Sequence, residues 1–227
     1  EIIEKDIDKL MKRTMDRPLP SGRMTNGQAL VLSLFMGIAG TLVLVQLNFL
    51  TGFLSVFSIF LYAFIYTPLK QKSPIAVFVG AIPGALPPLI GYYAAFKSAG
   101  FGFEYAAISE SAIVITPFVL FVIQFLWQFP HFWAIAWVAD DDYRAAGIRL
   151  LPTTKKDSFS ALMIFLSGVL MIPASYLPMY YGFAGWTFTI VAILGGFMFA
   201  WYGYKHYKEQ TDVSAKKVMY TSFLYLP

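Results

Sequence analysis

Six apolar runs, each close to the roughly 20 residues needed to cross about 30 Å of hydrocarbon, dominate this sequence and leave it few places to fold but a membrane. They fall at 27–47, 50–67, 75–95, 112–138, 159–180 and 184–204, and a seventh starts near Val218 and reaches Pro227. In lipid every backbone N–H and C=O must be satisfied within the protein, so runs of this length are read as helices. Composition agrees: 58% of the residues are apolar and only 13% charged, about half the charged share of a soluble domain. The mean hydropathy is +0.62. The expected fold is all-α, a polytopic transmembrane helical bundle forming a single unit over 1–227. That unit is expected to be truncated at both ends, since there is no initiator Met and the last apolar run lasts only about ten residues. With no cysteine present, disulfides and thiolate metal sites are excluded.

Charge then orients the bundle. Short loops on the cytoplasmic side carry the excess of Lys and Arg. If the six runs all span, sixteen of the seventeen Lys and Arg fall on one side: those of the first 26 residues, Lys70 and Lys72, the four at 144–156, and Lys205, Lys208, Lys216 and Lys217. Lys97 alone faces the other way. A missed or invented span would have scattered this split. The expected setting is the inner (cytoplasmic) membrane, crossed several times. The basic pI of about 9.1 is accounted for by topology and anionic headgroups, and no nucleic-acid partner is expected.

Helix breakers inside a span matter because the backbone groups they free need protein or water to satisfy them. The third run holds Gly80, Pro83, Gly84, Pro87, Pro88 and Gly91; the fourth holds Pro117 and Pro130, and the fifth Pro173 and Pro178. Ordinary kinks in a packed bundle explain such prolines as well as a functional site does. The mildly acidic outer loop around 97–111 is expected to hold a short amphipathic helix. The segments 1–26 and 139–158 are longer and more polar than topology requires.

Those two segments carry the candidate chemistry. Glu4 and Asp8 are four apart and share one face of a helix, while Asp6 points elsewhere. Two carboxylates a turn apart suit Mg²⁺, which takes one or two carboxylates plus substrate phosphates. Lys12, Arg13 and Arg17 follow directly and can pair with phosphate oxygens. A solvated, salt-bridged helix end is the alternative. Asp140, Asp141 and Asp142 form a second acidic group, relieved either by a metal or by basic neighbours such as Arg144 and Arg149. Tyr66 and Lys70 lie four apart at a cytoplasmic helix end; Lys70 can meet a leaving diphosphate or simply snorkel. His131 lies within a span beside Pro130 and among aromatics, a functional candidate by position and otherwise a hydrogen-bonded structural residue. His206 sits among basic residues and is given no role.

Five stretches together carry a family resemblance: DIDKLMKRTMDRPLPSG at 6–22, YTPLKQKSP at 66–74, GAIPGALPPLIGY at 80–92, HFW at 131–133 and DDDYRAAGIRLLP at 140–152. With them the chain resembles the UbiA-type intramembrane prenyltransferases over essentially its whole length. The family's first motif is N-x-x-x-D-x-x-x-D; Asp8 matches its last position and Glu4 stands at the middle one, keeping the carboxylate. Tyr66 and Lys70 match Y-x-x-x-K, and Asp142 matches the last position of D-x-x-x-D, whose first is Val138 here. The GALPPLIG, HFW and AGIRLLP runs resemble the branch that farnesylates haem rather than the quinone or chlorophyll branches.

The resemblance implies nine helices around a lipid-accessible cavity, about seven of them in this sequence. It implies transfer of farnesyl from farnesyl diphosphate to the 2-vinyl group of protohaem IX (haem B), a substrate rather than a cofactor, to make haem O. Glu4, Asp8 and Asp142 would hold Mg²⁺ and act with Lys70 in catalysis, while Arg13, Arg17, Tyr66 and His131 would bind substrate. Hand-over of the product to haem A synthase or to terminal oxidase assembly would follow. Two rivals stand beside this: the same fold acting on a quinone precursor, and a membrane protein that handles haem without chemistry. The second predicts polar residues spread through the spans, whereas here they gather at one end.

Overall fold

A computed structural model describes residues 2–95 and 110–226. After a single short turn of helix, α1 (Lys5–Asp8), come six helices long and apolar enough to cross a membrane. They are α2 (Asn26–Leu47), α3 (Phe49–Leu69), α4 (Ala76–Ala94), α5 (Glu110–Val138), α7 (Ser158–Tyr180) and α8 (Trp186–Glu209). A short α6 (Asp140–Ala145) follows α5, and α9 (Asp212–Tyr225) ends the described chain. No strand occurs among the described residues. The loop expected to hold an amphipathic helix lies almost wholly outside them.

The helix starts are written in polar caps. Thr25 and Gln28 form a reciprocal capping box on α2. Asn48 separates α2 from α3 and accepts the Thr51 N–H at 2.9 Å, while its amide donates to the Tyr93 carbonyl at 2.7 Å. Asp157 caps α7 by accepting the Ser160 N–H at 2.8 Å. Each cap satisfies backbone groups that a helix end leaves bare. One sequence expectation shifts here. The basic stretch after the sixth span is not a loop: α8 runs on to Glu209, Gln210 turns with φ +49°, and a Thr211–Ser214 box starts α9 at once. The seventh helix therefore begins six residues before Val218, and Lys205, Lys208, Lys216 and Lys217 ride on helix ends. Hydropathy hid this because the first turn of α9 is polar.

Helices α5, α7, α8 and α9 pack in a closed cycle, each against two of the others, while α2, α3 and α4 form an open row joined through α4 to α5. The main core lies inside the cycle, around Trp127, Trp133, Trp137, Ile164, Met171, Phe199 and Val218. By contrast α2 exposes Leu30, Val31, Phe35, Met36, Leu42 and Val43, as a helix facing lipid does. The chain is thus a multi-span membrane protein.

The polar connections meet one another. Lys70 reaches Glu4, Arg13 reaches Tyr143, and Lys156 pairs with Asp212 at 2.7 Å. All four segments that carry the sixteen basic residues therefore gather at one end of the bundle.

Candidate active site

The N-terminal segment folds over that end. The Asp8 N–H donates to the Glu4 carbonyl at 2.8 Å, so the two side chains do lie one helical turn apart. Both are buried, whereas the Asp6 side chain is 90% exposed and pairs with Lys9. Apolar contacts seat the segment: Met11 packs with Ala146 and Ile148, with Ile7, Tyr143 and Leu150 around them. Arg13 is tied to Tyr143, donating to its hydroxyl at 3.2 Å with the guanidinium 5.7 Å from the ring centre. Tyr143 directly follows a conspicuous acidic run that draws attention to the carboxylates instead. Its role as the docking point emerges only in three dimensions.

Lys70 supplies the second half. Its ammonium stands 2.5 Å from Glu4 Oε1 in a close, largely buried ion pair. Burial pushes the Lys70 ammonium below the usual lysine value. The Tyr66 ring centre lies 5.6 Å from Lys70 Nζ and 5.0 Å from that of Tyr62. These residues sit on or just beyond a π-helical turn, Leu61–Tyr66, inside α3. Pro68 accounts for it: a proline has no N–H to give the carbonyl four residues back and its ring crowds that carbonyl. Thr67 instead bonds Tyr62 O through both its N–H and its hydroxyl, the latter at 2.9 Å.

The glycines of α4 make room for this. A Cβ on Gly80 would lie 2.6 Å from the Tyr66 ring, and one on Gly84 would lie 2.1 Å from Gln128 Oε1. Pro87 cannot bond the Pro83 carbonyl in the usual way, and Ser58 Oγ donates to it at 3.5 Å. Gly80→Ala is accordingly expected to push Tyr66 off Lys70. It should cost about 1–3 kcal/mol from overpacking, read as a lowered melting temperature of the full-length protein in detergent. Unchanged stability would show that Tyr66 shifts freely.

Asp8 accepts from Arg17 Nη1 at 3.4 Å. In the second acidic group a basic neighbour supplies the relief. Asp140 is its buried member and pairs with Arg144 at 2.8 Å, while Asp141 is exposed and Asp142 half-buried. Among the described residues no three His, Asp or Glu side chains stand close enough to hold one cation. Glu4, Asp8 and Asp142 are therefore not drawn into a single three-carboxylate centre; Lys70 and Arg17 neutralise the first two, and Tyr143 faces the N-terminal segment through Arg13. Glu4 and Asp8, two buried carboxylates one helical turn apart, are a donor set of the kind a cation shared with substrate phosphates takes, each now paired with a basic side chain.

His131 lies elsewhere, between α5 and α9. Its Nδ1 is 2.7 Å from Ser222 Oγ, its ring stacks on Trp127 with centres 4.5 Å apart, and Trp127 Nε1 donates to the Ser222 carbonyl at 2.8 Å. His206, set among basic residues in the sequence, lies on α8 and is fully buried, edge-on to Trp137 and 3.0 Å from Ser214 Oγ.

A bundle with its ionic groups collected at one end above an apolar interior is the form of an intramembrane enzyme. The chain belongs to the UbiA prenyltransferase family, which it matches over residues 1–226. It is similar to a protoheme IX farnesyltransferase of Cytophaga hutchinsonii, 45% identical over 229 residues that take in 100% of this chain and 75% of the relative. The protoheme IX farnesyltransferase of Flavobacterium psychrophilum is 41% identical over 231 residues, 100% of this chain and 72% of the relative. That of Solibacter usitatus is 41% identical over 226 residues, 99% of this chain and 73% of the relative. No solved structure matches the chain.

Proposed function

We propose that this protein transfers a farnesyl group from farnesyl diphosphate to the 2-vinyl group of protohaem IX, making haem O and releasing diphosphate. The observation that carries this reading is the 45% identity, over the whole chain, to a relative named for that reaction. The quinone-precursor reading and the non-enzymatic one gain no comparable support.

The diphosphate belongs at the polar end. Lys70 and Arg13, with Arg17 beside Asp8, are the cations that would meet its oxygens, Arg in forked geometry. Mg²⁺, held by Glu4 and Asp8 together with the diphosphate, would supply further charge neutralisation as the leaving group departs; Asp142 would act from the facing α6 rather than complete a cage. The C1–O bond of farnesyl diphosphate breaks with its electron pair going to diphosphate. Preorganised positive charge there favours that departure. The allylic cation left behind survives only where water is scarce, which an apolar bundle interior would supply. The terminal carbon of the vinyl group then forms the new C–C bond. Water adds at the carbon beside the macrocycle and loses a proton, giving the hydroxyethylfarnesyl substituent. His131 would serve the porphyrin, as ligand to its iron or as an orienting group.

The distribution of Lys and Arg supports a cytoplasmic face for this end, in an inner membrane, and haem O would pass to haem A synthase or oxidase assembly. Full-length protein given farnesyl diphosphate, Mg²⁺ and, in separate reactions, haem or a hydroxybenzoate-type quinone precursor tests the assignment by product mass. A farnesylated, hydrated haem and an unmodified aromatic acid are expected. Prenylation of the aromatic acid alone would transfer the chain to the rival reading.

A further inference from the structure

Ser222 does more around His131 than join two helices. Its hydroxyl lies 2.5 Å from the Met219 carbonyl on its own helix. A carbonyl only accepts, so the Ser222 hydroxyl can donate to it. The same oxygen lies 2.7 Å from His131 Nδ1; with its hydrogen turned to the carbonyl, it accepts from Nδ1. In that assignment Nδ1 carries the imidazole hydrogen and Nε2 the lone pair. The ring is held in this orientation by the Trp127 stack, with planes 16° apart, and by the edge of Phe223, 5.1 Å away between centres. Among the described residues the histidine nitrogen sealed away without a partner is Nε2 of His206, not that of His131. His131 keeps 7% of its surface exposed.

A neutral imidazole with Nδ1–H anchored and Nε2 bare is the form that binds a transition metal, and the anchoring partner fixes the ring and raises its basicity. We infer that Ser222 is a positioning residue that sets the tautomer of His131 and presents Nε2 as a nitrogen ligand to the iron of a metalloporphyrin. The inference rests on the haem reading given under Proposed function and adds to it how the acceptor is held: through its iron.

The test separates iron ligation from mere shape. Full-length protein in detergent is titrated with iron protoporphyrin and, separately, with metal-free protoporphyrin, following the Soret band. Ser222→Ala should weaken iron-porphyrin binding about tenfold to a hundredfold, the usual range for loss of such an outer partner, and should alter the Soret maximum. Metal-free protoporphyrin binding should stay within about twofold, and Ser222→Thr should restore the wild-type spectrum. His131→Asn keeps a nitrogen donor for Ser222 but removes the ligand, so it should fold, bind metal-free porphyrin and lose the ligated iron spectrum. That variant keeps the test open if Ser222→Ala does not accumulate. Equal losses for the two porphyrins, or an unchanged iron spectrum in either variant, would overturn the inference. Should the wild type farnesylate haem while Ser222→Ala and His131→Asn bind iron porphyrin normally, this inference fails and the haem reading stands. Should the wild type neither bind nor farnesylate haem, the haem reading fails, and this inference with it.

Discussion

Asp8→Ala in the full-length protein is expected to reduce farnesyl transfer by at least about a hundredfold, the scale on which removal of one electrostatic group at a reacting centre is felt. Asp8 is buried on the same turn as Glu4, and with that partner it forms the two-carboxylate face to which a substrate-borne cation can bind. Its loss also removes the carboxylate to which Arg17 donates at 3.4 Å. Affinity for a non-hydrolysable farnesyl diphosphate analogue should lose its dependence on Mg²⁺, while haem affinity should hardly change. Glu4→Asp should be tolerated better than Glu4→Gln, because charge at that point matters more than reach. Near-normal activity in Glu4→Gln would remove the cation-binding role.

Lys70→Met is expected to have the second largest effect. The Glu4 carboxylate would lose the ammonium 2.5 Å away, and breaking one side of a buried pair costs about 3–5 kcal/mol. The diphosphate would lose a cation at the same time, so stability without substrate and analogue affinity should fall together. Lys70→Arg should rescue charge but, being forked and bulkier, only part of the activity. The pH profile distinguishes the two further. The protonated form of Lys70 is the one that pairs with phosphate, and burial lowers the value at which it loses its proton. Activity should therefore decline, as pH rises, at a lower pH than an ordinary lysine would dictate. Lys70→Arg should move that alkaline limb upward, since a guanidinium stays charged throughout. An alkaline limb unmoved by Lys70→Arg would show that another group sets it.

What the sequence disclosed follows the range of the forces involved. The spans were legible because hydrocarbon thickness fixes their length, and α2, α3, α4, α7 and α8 begin within two residues of the expected places. The shared face of Glu4 and Asp8 was legible because it depends on one turn of backbone. The grouping of Glu4, Asp8 and Asp142 was not, since it depends on how two connections pack, and Arg13 joins Tyr143 rather than drawing Asp142 inward. The burial of His206 was hidden by its basic neighbours: the ring enters the Trp137 interface while Lys205 and Lys208 lie on the outer side over Trp201 and Tyr204. Ser222 gave no local signal at all, standing 91 residues from the histidine it holds. The π-turn had a visible cause in Pro68, but its consequence, Tyr66 set against Gly80, required the neighbouring helix.

On this reading the ionic end built from Glu4, Asp8 and Lys70 handles the diphosphate, separately from the acceptor. Binding of a farnesyl diphosphate analogue and of haem, measured in parallel on full-length wild type, Asp8→Ala and Lys70→Met with and without Mg²⁺, tests it most directly. Both variants should lose Mg²⁺-dependent analogue binding by tenfold or more while haem binding stays within about twofold of wild type. Analogue binding retained in both variants, or lost in step with haem binding, would contradict it.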